Sequence, residues 1–397
     1  MSVDIRTRTS DERGTVDFAE FHEQALPARI EEHGQLAAAG MSTHRLRPLT
    51  LQVGTHAYTY STHEGRLAVR PGDGGDGALA IMEPAVFSDF AQEIRSAVSL
   101  MIGSDAEMAR GKITDLVNWE PTLRALLDGR PAYVPGTVRL ADASGEPLDL
   151  THRFTLDDDP AEMAAFLEAA GYLHIAGVYS AAEMAELSEE MDTWFPRMEQ
   201  DDERSWWARL ESGEQRCVRV TNIGQADVRF PLNDDPRIRR IAALPGDGHT
   251  GELLDLLVKP VGVVEGISDP PWHKDCSLGL HGYRCCSLTI GVSVTAADAA
   301  HGRLGVVAGS HRASIPLMGL PKALDLPQVW LDTAPGDVTV HLSCTLHMAA
   351  PPETTERRVA YMGYPLPGLA TREASTKHIR DRAGRQTFAP KQASRNA

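Results

Sequence analysis

Hydrophobic positions change their spacing twice along this chain. Phe18, Phe21 and Leu26 fall on one face of a helix within the first forty residues. Leu49, Leu51 and Val53 then alternate with polar residues, which predicts a strand. Ala57–Tyr60 and Arg66–Val69 predict two more, joined as a hairpin around His63-Glu-Gly65. After Pro84 the spacing of Phe87, Phe90, Ile94, Val98 and Met101 predicts one amphipathic helix over 85–102. A second helical segment runs over Leu116–Leu127. A polar connector from Gly136 to Asp158 follows, with strand-like pieces, and places a domain boundary near residue 150.

Beyond it, a helix opens at Asp158/Asp159 with Pro160 in its first turn and stops at Gly171. Tyr172–Ile175 is a short strand. Ser180-Ala-Ala-Glu183 reads as a capping box, and Met184, Leu187, Met191 and Trp194 form the apolar face of the helix behind it. Trp206-Trp207 reads as the anchor of a further helix. From there the pattern shortens to strands: Arg216–Ile223, Leu253–Val264, Ser287–Val294, Gly305–Val307, Val338–Leu342 and Val359–Tyr364. Many short strands with Gly/Pro turns predict a sandwich or barrel. Three parts result: a small α+β domain over 1–150, a mainly β domain over 151–370, and a basic tail over 371–397.

With 397 residues, two domains are the natural division. The net charge of −16 argues against general nucleic-acid binding, which needs clustered cations. No run of about 18 apolar residues predicts a membrane span. The five cysteines form no C-x-x-C pair, and the first residues lack an apolar signal segment, so a reducing cytoplasm is expected. The glycine-rich Pro71–Gly77 lacks a Lys-Ser/Thr ending and reads as a loop rather than a phosphate cradle.

The chemistry concentrates in Pro271-Trp-His-Lys-Asp-Cys276 and Thr345-Leu-His-Met348. His273 and Asp275, two apart on a strand or its end, point to one side. His347, on a neighbouring strand, completes a set of two histidines and one carboxylate. That set leaves three metal positions open and suits non-haem Fe(II) that activates O2. Arg357 and Arg358 lie ten and eleven residues beyond His347, where a guanidinium can grip a carboxylate beside the metal. Neighbouring strand residues face opposite ways, so only one of the two aims inward. Lys259, at the end of an apolar strand, is a candidate contact for a co-substrate carboxylate or a substrate anion, with an edge-strand lysine the simpler account. Cys276 and Cys344 read as packing residues. His281, His301, His311 and His341 read as loop or structural histidines, with His281 a candidate substrate contact. Arg216, Arg219 and Asn222 are candidate pocket residues.

The stretch Trp272–Tyr364 resembles the phytanoyl-CoA dioxygenase family of Fe(II)/2-oxoglutarate oxygenases. The resemblance rests on the W-H-x-D block at Trp272, Gly302-Arg-Leu-Gly-Val-Val-Ala-Gly-Ser-His311, the Gly336-Asp-Val338 turn, and the arginine eleven residues after His347. It extends upstream over Phe166–Trp194. It implies a double-stranded β-helix (jelly-roll) core with flanking helices. It implies Fe(II) on His273, Asp275 and His347, 2-oxoglutarate with its far carboxylate on Arg358, and O2 as oxidant. The presence of Asp275 favours hydroxylation over halogenation, since related halogenases lack this carboxylate. The Pro-rich span Met348–Glu356 departs from the family pattern. Residues 45–128 are in turn similar to sterol-carrier-protein-2-like domains, which implies a module that presents a lipid-like substrate or dimerises. The substrate expected is a small or lipid-like molecule. The rivals are a metabolite-binding protein on the same fold, and a zinc hydrolase, which would lack a general-base glutamate beside the ligands.

Overall fold

The computed structural model of the chain describes residues 14–200, 202, 204–224, 232–251, 253–266, 268, 270–277, 285 and 287–366. The basic tail and His281 therefore lie outside the described residues. In the amino-terminal unit, Asp17 caps a helical run by accepting from the Glu20 amide at 2.8 Å. The run passes through a π turn, Phe21–Ala25, into the helix Leu26–Thr43. Strands β1 (Leu49–Val53), β2 (His56–His63), β3 (Arg66–Pro71), β4 (Ala78–Met82) and β5 (Ala106–Arg110) make one sheet in the order β3-β2-β1-β4-β5. Strands β4 and β5 carry little strand signal in sequence; pairing with β1 decides β4, and pairing with β4 decides β5. The single helix expected over 85–102 is two, Pro84–Ala91 and Ala97–Gly103. Glu93 turns the chain at φ 61°, and Ser96 caps the second helix by accepting from the Ser99 amide at 3.0 Å. The helix Ile113–Asp128 completes a core that buries Leu49, Tyr60, Phe87, Trp119 and Leu126.

In the carboxy-terminal unit, Asp159 and Gly171 bound the helix Pro160–Ala170 as the sequence predicts, with Gly171 at φ 85°. β6 (Tyr172–Ile175) and the helix Ala181–Trp194, with its capping box, follow. Trp206-Trp207 lies on a strand, β7 (Ser205–Leu210), and not on a helix, because it pairs with β8 (Gln215–Gly224). The expected strand Leu253–Val264 is two, β9 (Leu253–Lys259) and β10 (Val263–Gly266). Pro260 ends the first, and Gly262, at φ 75°, turns the chain. β11 (Ser287–Ser293), β12 (Leu304–Val307), β13 (Gln328–Leu331), β14 (Val338–Leu342), β15 (His347–Ala349) and β16 (Arg357–Pro365) complete the unit.

These strands form an eight-stranded sheet, β10-β7-β8-β9-β16-β11-β14-β6, and a three-stranded sheet, β13-β12-β15, both antiparallel. Together they build the jelly roll. One face of the large sheet presents Leu256, Ile290, Val292, Val340 and Met362 to the helices that carry Leu167, Leu187 and Met191. The other face carries Thr289, His341, Tyr361, Arg357 and Lys259. The two units join at the ligand-bearing segment. Leu317, fully buried in the amino-terminal core, accepts at its carbonyl from the Lys274 amide at 3.1 Å. Met318 bridges to His273 beside it.

Candidate metal centre

His273 and His347 are paired backbone to backbone across the edge of the small sheet. Each amide donates to the other's carbonyl, at 3.0 and 2.9 Å. This pairing brings their rings to 4.4 Å. Asp275 opens a short 3-10 turn two residues on. Its Oδ1 lies 3.4 Å from His273 Nε2 and 3.5 Å from His347 Nε2. The three ligand atoms lie within 4.8 Å of one another.

The tautomers are set by backbone. His273 Nδ1 donates to the Pro271 carbonyl at 2.7 Å, and His347 Nδ1 donates to the Thr345 carbonyl at 2.9 Å. Each Nε2 therefore turns a lone pair toward Asp275 Oδ1. Two lone pairs and a carboxylate oxygen aimed at one buried point repel one another unless a cation lies between them. The donor set, two imidazoles and one carboxylate, fits Fe(II).

The other carboxylate oxygen, Asp275 Oδ2, accepts from Thr289 Oγ1 at 3.1 Å and His341 Nε2 at 3.3 Å. This leaves Oδ1 as the metal-facing atom. His341 is thus part of the centre, its ring 4.2 Å from that of His347. Its position on β14 opposite Thr289 carries the signal, but only once the strand register is known.

The same register separates the two arginines onto opposite faces of the sheet. Thr289 pairs with Gly363, and alternation along β16 puts Tyr361, Val359 and Arg357 on the metal-facing side. Gly291 leaves room there, since a Cβ on it would lie 2.7 Å from the Tyr361 ring. Arg357 is 1% exposed; its Nη1 donates to the Gly302 carbonyl at 3.0 Å, and its Nε has no partner. Among the described residues no carboxylate pairs with it. Arg358 points to the helix-covered face, against the inward placement expected from its spacing. It is bound there by Asp192 at 2.7 Å, Glu356 at 3.0 Å and Ser188.

Lys259 sits opposite Arg357 on β9, inside the sheet and not at its edge, and is 1% exposed. Its Nζ donates to the carbonyls of Ser268 and Ala349, the latter two residues beyond His347. Two buried basic side chains, Arg357 and Lys259, thus lie side by side across β16 and β9. Further along this face Arg219 binds Asp255 and lies over Trp206, 4.5 Å from the ring centre. Arg216 instead pairs with Glu356. His311 Nε2 donates to the Glu168 carbonyl at 2.8 Å, and burial pushes its pKa down to about 4. That contact and Arg312's bonds to nearby carbonyls make this corner structural.

Residues 167–360 match the phytanoyl-CoA dioxygenase (PhyH) family. No curated protein sequence matches the chain. Among solved structures, EvdMO1 is similar at 22% identity over 50% of this chain and 48% of its own, with TM-score 0.42. The chain thus spans about half the length of EvdMO1. EctD from S. alaskensis with bound Fe is similar at 22% identity over 54% of this chain and 80% of its own, with TM-score 0.42. The epimerase SnoN in complex with Fe3+, alpha ketoglutarate and nogalamycin RO is similar at 22% identity over 52% and 84%, with TM-score 0.41. Among the described residues no helix is long and apolar enough to cross a membrane.

Proposed function

We propose that this chain, which carries a phytanoyl-CoA dioxygenase family domain at residues 167–360, hydroxylates or otherwise oxidises an unactivated C–H bond of a small or lipid-like molecule. The co-substrates are 2-oxoglutarate and O2. The observation that carries this reading is the convergence of His273 Nε2, His347 Nε2 and Asp275 Oδ1 on one point, with both histidine tautomers set by backbone. Fe(II) held there supplies oxidative decarboxylation of 2-oxoglutarate to succinate and CO2, coupled to oxidation of the substrate.

The protein's own residues do the rest. Thr289 and His341 occupy Asp275 Oδ2, so the carboxylate offers a single oxygen and leaves the remaining positions open. Arg357 and Lys259 receive the far carboxylate of 2-oxoglutarate. A buried guanidinium without a counter-charge is costly, and a bound dicarboxylate removes that cost. We place this contact on Arg357 rather than Arg358, whose guanidinium is already taken by Asp192 and Glu356. The five-stranded sheet and helices of the amino-terminal unit support the sterol-carrier-like reading, in which that unit presents a lipid-like substrate.

The test is succinate formation by anaerobically iron-loaded protein exposed to O2 with 2-oxoglutarate. Asp275→Ala is expected to abolish it, and Arg357→Ala to raise KM for 2-oxoglutarate about 10- to 100-fold, as lost charge-assisted hydrogen bonds would. Turnover that survives Asp275→Ala overturns the reading. A KM that moves in Arg358→Ala and not in Arg357→Ala overturns the arginine assignment alone.

A further inference from the structure

Three chain segments meet directly behind Asp275. The Cys276 amide donates to the Ser343 carbonyl at 3.2 Å, and the Ser343 amide donates to the Ser287 carbonyl at 2.9 Å. This brings Cys276, Cys285 and Cys344 into one cluster with Leu366. Cys276 Sγ and Cys344 Sγ are 3.2 Å apart, both buried. Cys285 is the least buried of the three. Buried packing cysteines need only apolar neighbours. Here two thiols face each other at hydrogen-bond distance, and a third packs against them.

We propose that Cys276, Cys285 and Cys344 form a peroxide-oxidised thiol site, with Cys344 as the sulfur common to its disulfides. The oxidant is hydrogen peroxide. The Cys285 thiolate attacks one peroxide oxygen; the S–O bond forms, the O–O bond breaks, and the released hydroxide takes a proton to become water. The Cys344 thiol then attacks the sulfenic sulfur. The S–S bond forms, the S–O bond breaks, and the hydroxyl leaves as water with the Cys344 proton. In sum two thiols and one peroxide give one disulfide and two waters. Thiol–disulfide exchange by Cys276, 3.2 Å from Cys344, moves the bridge to Cys276–Cys344 and returns Cys285 as a thiol.

The environment favours the entry step at Cys285. Hydrogen bonds with the Cys344 thiol and with the backbone of Ser287, Cys344 and Ser343 outweigh burial and pull the Cys285 thiol down to about 7. Cys217 is the internal contrast: buried in the apolar core, its thiol is pushed up to about 12. A Cys276–Cys344 bridge would tie the turn that begins with Asp275 to the loop that leads into His347. Oxidation would therefore report on the metal ligands directly.

The experiment is differential alkylation and peptide mass mapping of the full chain before and after hydrogen peroxide. It needs no turnover, so its failure is separate from any failure of the oxygenase reading. The expected result is loss of two thiols per chain, an intrachain bridge at Cys344, and recovery of both thiols with dithiothreitol. Cys344→Ser is expected to stop all bridging, with unaltered thermal unfolding showing that the chain is folded. Cys285→Ser is expected to slow bridging at least about tenfold, in line with the loss of the reactive thiolate. Thiols that stay free, a bridge that involves Cys217 or Cys286, or unchanged bridging in folded Cys344→Ser overturns the proposal.

Discussion

The two faces of the large sheet are made from the same strands and obey opposite rules. One face carries Leu256, Ile290, Val292, Val340 and Met362 against helices, where burial of each large side chain contributes about 1.5–3 kcal/mol. The other carries Thr289, His341, Tyr361, Arg357 and Lys259. Of these His341, Arg357 and Lys259 are almost fully buried, where a polar group has to be held by hydrogen bonds: His341 by Asp275, Arg357 by the Gly302 carbonyl and Lys259 by the Ser268 and Ala349 carbonyls. Adjacent residues Arg357 and Arg358 show the contrast in one step along the chain. Arg358 is satisfied by Asp192 and Glu356, while Arg357 donates to the Gly302 carbonyl and has no carboxylate partner among the described residues.

The largest expected effect that separates the faces is on stability. Ile290→Ala should destabilise by about 2–5 kcal/mol in chemical denaturation while leaving metal affinity unchanged. Equal loss of metal binding would show that the faces are not independent. On the polar face, Arg357→Ala should remove the rise in Tm that 2-oxoglutarate gives the metal-loaded protein. Arg358→Ala should keep it and cost less than about 1 kcal/mol, as partly exposed ion pairs do. His341→Phe should weaken Co(II) binding, followed by its absorption spectrum, about 10- to 100-fold, the usual effect of losing a partner that orients a ligand. Unchanged affinity would reduce His341 to packing.

The smallest effect sharpens the comparison from outside it. Glu120, buried in the amino-terminal unit, accepts from the Ala97 amide at 2.9 Å. Burial raises its pKa from 4.5 to about 7, against the pull of Arg124. The folded state thus binds the proton more tightly than the unfolded chain. Its stabilising effect is full below pH 4.5 and is lost as pH rises to about 7. Glu120→Gln should flatten the fall of Tm over that window. An unchanged slope would show that another group carries it.

Much of this was legible from spacing alone. The helices around Pro160–Ala170 and Ala181–Trp194 have local caps, so their bounds follow from Asp159, Gly171, Ser180 and Glu183. His273, Asp275 and His347 stand out because their residue types and separation are chemical, and family likeness marks them too. Where neighbours in space rather than in sequence decide, local pattern fails. β4, β5 and β7 exist through pairing, and the helix over 85–102 breaks at Glu93 and Ser96 despite an unbroken apolar period.

The chain by itself determined the bounds of the capped helices and the three candidate ligands, because caps and donor chemistry are local properties. Only the tertiary structure decided which arginine faces inward, that His341 and Thr289 hold the outer oxygen of Asp275, and that Lys259 lies inside the sheet. It also decided that three cysteines meet behind Asp275. The physical reason is strand register: a shift of one residue exchanges the faces of a strand, and register is set by the partner strand, which no local stretch of sequence contains.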